Sequence, residues 1–147
     1  MEIRGLAVVP AVALACWAGA AMAQSATPPP IEANDFRAGT TGALGKLCAA
    51  HGTDATSTAA ATYCHGFLSG IGQFHRSISQ PGGAIAPLFC APQPPPTVEQ
   101  VATGFAAWAQ ANPQYAAEPA VDGVVRFAEA RYPCPTRPAA TPRTRSR

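Results

Sequence analysis

Apolar residues recur along this chain at spacings of three and four, and no run alternates at period two, so helices are the elements to expect. The longest stripe joins Cys64, Phe67, Leu68, Ile71, Phe74 or His75, and Ile78, predicting a helix over 55–78. Before it, Leu44, Leu47 and Cys48 mark a helix over 34–50, capped by Asn34 or Asp35 and ended by His51-Gly52. Gly39 and Gly42 weaken its first half. Thr97-Val98-Glu99-Gln100 is a capping box that opens a third helix. Val101, Phe105, Trp108 and Ala109 keep one face of it apolar, and Asn112-Pro113 stops it. A fourth helix starts near Pro119, with Val121, Val124, Val125, Ala128 and Tyr132 as its stripe. The fold class is all-α, a compact bundle of about four helices.

Gly66, Gly70 and Gly72 fall inside the second helix, where each costs about 1 kcal/mol against alanine. That cost predicts a packing reason, and close approach of another helix is the simplest. A membrane dimerisation motif is a poorer reading, because His65, Gln73, His75 and Arg76 share the same helix. Residues 80–96 form a loop rich in proline and glycine with no charged residue, and Cys90 lies within it.

The chain ends add two segments outside the bundle. One basic residue precedes an apolar stretch over 5–17, and Ala21-Met22-Ala23 forms a cleavage site, so 1–23 reads as a signal peptide. Residues 24–34, with Pro28-Pro29-Pro30, read as an extended leader, 35–134 as a disulfide-bonded helical domain, and 135–147 as a disordered Arg/Pro tail. Between 24 and 134 there are five basic against seven acidic residues, so the basic excess lies in the ends. An exported, mildly acidic domain gives no footprint for nucleic acid, and after signal removal nothing is left to insert into a membrane.

Cys16 leaves with the signal, and Cys48, Cys64, Cys90 and Cys134 remain, an even count that reads as two disulfides in an oxidising compartment. Helices one and two are joined by a short turn and should lie antiparallel, which favours Cys48 with Cys64 and leaves Cys90 for Cys134. That second bridge would draw helix four over helix two. Cys48–Cys90 with Cys64–Cys134, and Cys48–Cys134 with Cys64–Cys90, stay open at this stage.

No catalytic constellation, metal site or cofactor motif emerges. His65 and His75 are almost three turns apart on one helix, and His51 sits at a helix end. Cys64 and His65 are adjacent on a helix and point about 100° apart, unlike a nucleophile and its base. Trp108 and Phe105 at helical spacing are core positions, and Glu99, Glu118, Asp122 and Glu129 fall on solvent faces.

The order of elements carries a resemblance. It runs from Leu47-Cys48 through Tyr63-Cys64-His65-Gly66-Phe67-Leu68-Ser69-Gly70-Ile71 to Phe89-Cys90-Ala91-Pro92, and ends on Arg131-Tyr132-Pro133-Cys134. Over about 44–134 this resembles the Rap/Tai family of small exported immunity proteins, which protect bacteria against type VI secretion effectors. The resemblance implies a periplasmic helical protein, often dimeric, whose relatives include blockers of peptidoglycan amidases; the lack of any catalytic or cofactor motif in the residues themselves argues against an enzyme. The chain departs from the family pattern in having Gln73-Phe74-His75 where an acidic residue is usual, and in its Arg-rich tail.

On this reading the protein binds and neutralises a toxin effector, and the segment suited to enter a cleft is the uncharged loop 80–88. Its candidate contact residues are Gly82, Gly83, Ile85 and Leu88. The other class to weigh is a general periplasmic binding or stress-chaperone protein. A toxin gene immediately upstream would separate the two.

Overall fold

A short helix, α1 (Thr41–Cys48), forms the hub and packs on all three longer ones. These are α2 (Ala55–Ser79), α3 (Val98–Ala111) and α4 (Ala120–Arg131), with a 3-10 turn, Pro113–Tyr115, between the last two. The computed structural model describes residues 30–37 and 39–135. Among them no strand occurs, only an isolated bridge between Thr40 and Pro119. The signal segment, Cys16, most of the leader and nearly all of the Arg/Pro tail lie outside the described residues.

Each boundary has a local cause. The Asp54 carboxylate accepts from the amides of Thr56 and Ser57 and so caps α2. At α3 the predicted capping box is complete, with Thr97 Oγ1 accepting from the Gln100 amide and Gln100 Oε1 accepting from the Thr97 amide. Pro113, which has no amide hydrogen to continue the ladder, turns the chain into the 3-10 segment.

The first helix begins later than the pattern predicts. Asp35 caps its own turn instead, its carboxylate accepting from the Glu32 amide at 2.8 Å and pairing with Lys46 Nζ at 2.9 Å. Gly39 then takes a left-handed φ of 61°, which ends any helix arriving from 34. Thr40 caps α1, whose first amides reach across the bundle: Thr41 N–H donates to Glu118 O and Gly42 N–H to Ala116 O.

Leu44, Leu47 and Cys48 of α1, Cys64 and Leu68 of α2, Phe105 of α3, and Val124 and Phe127 of α4 make the core. Phe105 is fully buried and meets Phe127 edge-on, with ring centroids 5.8 Å apart. Burying a side chain of this size contributes about 1.5–3 kcal/mol. Two stripe assignments change. Val121 is exposed, and Phe127 takes the core role on α4. On α2 it is His75 that continues inward, while Phe74 is 64% exposed.

The disulfides pair Cys48 with Cys64 and Cys90 with Cys134, as the short connector favours. The second does not lay α4 over α2, because α4 packs on α1 and α3. The glycine expectation also fails where it was placed. No atom lies within 4 Å of where a β-carbon would stand at Gly66, Gly70 or Gly72. Close helix approach occurs instead through α1 and α4, for example at Gly45, whose β-carbon would stand 2.8 Å from Ala109 Cβ.

Candidate partner-binding site

Since α4 avoids α2, a groove of about 890 Å³ opens between them. Its walls include Leu68 and Ile71 of α2 and Phe127 of α4, with Val98 and Val101 of α3 below and Tyr132 at the end. Loop residues Pro87, Phe89 and Cys90 close one side of it. The candidate contact residues Gly82, Gly83, Ile85 and Leu88 all lie in the loop's first limb, beyond the end of α2.

The limb starts as a tight reversal. Gly83 N–H donates to Gln80 O, and Ile85 N–H reaches back to Ile78 O at 3.1 Å. Gly82 holds a left-handed φ of 84°, a conformation glycine adopts without steric cost. A β-carbon on Gly83 would overlap the carbonyl of Ile78, so this position admits only glycine unless the turn moves. Both glycines therefore shape the turn that carries Ile85 and Leu88. These two side chains stand 41% and 44% exposed and are the large apolar side chains that the limb offers to solvent.

The limb's far end is clamped. Cys90 N–H donates to Tyr132 O at 2.8 Å, and its sulfur is bonded to Cys134. Between these anchors, Leu88 N–H donates to His75 Nε2 at 3.1 Å, and the imidazole stacks on Phe89 at 3.8 Å with planes 16° apart. Accepting that bond requires a neutral ring with its proton on Nδ1. Burial pushes the His75 pKa below its ordinary value of 6.5. Sequence reasoning placed His75 as an alternative stripe residue, too far from His65 to share a metal, and gave it no role in the loop. Its link to Leu88 spans thirteen positions and leaves no local pattern.

The remaining chemistry-bearing residues stay apart. Cys64 is fully buried in its disulfide, beyond use as a nucleophile. Among the described residues no three His, Cys, Asp or Glu gather around a common point. A shallower hollow beside Trp108 and Tyr115 is occupied by its own groups. The two rings stack at 5.8 Å, and Arg126 lies 4.7 Å over Tyr115 while its guanidinium pairs with Glu118 at 2.8 Å. No described helix is long and apolar enough to cross a membrane.

In a comparison with family models, residues 40–134 fit the model of the Rap1a immunity proteins. That span contains all four helices, both disulfides and the whole loop. Comparisons with curated proteins and with solved structures gave no match.

Proposed function

Since this chain belongs to the Rap1a immunity protein family, we propose that it is exported to the periplasm, loses residues 1–23, and there binds and neutralises a cell-wall-degrading type VI secretion effector, a peptidoglycan amidase. Inhibition is stoichiometric and uses no turnover. The observation that carries this reading is the presentation of Ile85 and Leu88. Two aliphatic side chains stand exposed on an uncharged limb whose base and far end are both fixed. A limb fixed in advance loses little conformational freedom on binding, and an exposed aliphatic tip suits an apolar cleft. Gly82 and Gly83 keep the limb slim by adding no side chains.

The assay mixes the mature protein with the effector encoded beside it and follows peptidoglycan digestion. Inhibition should saturate at about one protein per active site, and Ile85→Arg should weaken binding by roughly thirtyfold, about 2 kcal/mol for a central apolar contact. An effector that is not bound even at micromolar concentration would transfer the argument to a general periplasmic binding role. Mass spectrometry of the periplasmic fraction should show Gln24 at the N-terminus. Sedimentation velocity reads the dimer that the resemblance implies.

A further inference from the structure

We propose that His75 is the positioning residue of the 80–88 limb, a proton-operated pin whose neutral imidazole holds Leu88 in place and whose protonation releases it. This rests on the reading of the limb as the effector-binding segment, and it concerns the regulation of that same site.

The limb is held at both ends and by one bond between them. Its first half is held by the bonds from Gly83 to Gln80 and from Ile85 to Ile78, and its end by the bond from Cys90 to Tyr132. Among the described residues, the stretch between Ile85 and Cys90 has one hydrogen bond from its backbone amides, the one from Leu88 to His75 Nε2. An imidazolium carries a hydrogen on both ring nitrogens and accepts from neither. Protonation therefore removes the acceptor and sets two N–H groups facing each other. It also places a charge beside the apolar groove, a desolvation cost that outweighs the attraction of the Phe89 ring face for a cation.

Among the described residues, no carboxylate lines the groove beside that charge. On α2 the neighbouring ionisable residue facing the groove is Arg76, another cation, and at the end of α4 it is Tyr132. The loop contributes no titratable group, Cys90 being held in its disulfide. On α3 the carboxylate of Glu99 interacts with His65 instead. Burial without a carboxylate partner favours the neutral ring, and the depressed pKa of His75 agrees with the geometry. The neutral pin is thus complete above pH 6.5 and is lost as the pH falls through the depressed value. Leu88, at the pinned position, is one of the two large apolar side chains exposed on the limb, so release of the pin alters the surface offered to an effector.

Amide hydrogen exchange on the mature, disulfide-intact protein reads the pin without any effector present. Between about pH 7.5 and 4.5, protection of the Leu88 amide, corrected for the intrinsic rate, should fall about tenfold per pH unit once His75 protonates. The Ile85 and Cys90 amides should keep theirs. In His75→Phe, which retains the stack but has no acceptor, Leu88 should be unprotected at every pH. In His75→Gln, whose amide oxygen accepts without titrating, protection should be independent of pH. Leu88 protection in the native protein that stays constant across the range, or falls equally in His75→Gln, overturns the proposal. Effector affinity measured at both ends of the range then tests the limb itself. Affinity that falls in acid for the native protein but not for His75→Gln supports the pin and the limb together. A pH-dependent Leu88 amide with pH-independent affinity moves the binding surface elsewhere and leaves the pin standing.

Discussion

Gly123 of α4 lies directly against Thr41 of α1: a β-carbon on Gly123 would stand 2.5 Å from Thr41 Cγ2. Thr41 is almost fully buried, and its hydroxyl donates to Pro119 O at 3.1 Å, so it has no room to retreat. Gly123→Ala should therefore destabilise by about 1–3 kcal/mol through overpacking. At Gly66 and Gly70 the same change meets open space and should stabilise by up to about 1 kcal/mol each, from helix propensity alone. Urea denaturation of the three single variants checks the pair of signs; a loss of stability at Gly66 or Gly70 would contradict the open face of α2.

The two disulfides should differ in their contribution. Cys48–Cys64 closes a separation of 16 residues and Cys90–Cys134 one of 44. On the loop-entropy account these are worth about 3 and about 4 kcal/mol. Paired serine replacements, each measured by urea denaturation, should reproduce that order. Thiol titration of the denatured, unreduced mature protein should find no free cysteine.

What could be read from residue order was whatever closes within a few positions. The Thr97 box was legible because cap and reciprocal partner are three residues apart. The pairing of Cys48 with Cys64 followed from the short connector between α1 and α2. Glycine cost was legible but its location was not. Gly66 and Gly123 look alike in sequence, and only the packing of α4 on α1 separates them. Asp35 looked like a helix cap because the side chain it pairs with, Lys46, lies eleven residues on. In the candidate site, the unusual composition of 80–88 was visible, while the imidazole that holds it was hidden by distance.

Acid should weaken the link between the N-terminal turn and α1. Burial raises the pKa of Asp35, but the Glu32 amide and Lys46 outweigh it, so the carboxyl ends below its ordinary 3.8. The charged form is thus favoured by folding. Its contribution is complete above pH 3.8 and is lost as the pH falls through the depressed value. The stability difference between the native protein and Asp35→Asn should therefore shrink below pH 3.8, which a denaturation series in acid would show.

Two structural substitutions set the scale for the rest. Phe105→Ala empties the centre of the bundle and should cost about 3–5 kcal/mol. Thr97→Ala removes one half of the capping box and should cost about 1 kcal/mol. Thermal melts followed by circular dichroism distinguish the two.

A helix as short as α1 is well below the roughly 12–15 residues at which an isolated helix becomes even marginal in water. Its first amides are satisfied by Glu118 and Ala116, and Gly39 O in turn receives the amide of Ala120. The first turn of the hub is therefore completed by the segment that leads into α4, and the two ends of the domain are tied to each other through their backbones. A fragment stopping after α3 would leave those α1 amides without their acceptors and uncover the face of α1 on which α4 packs.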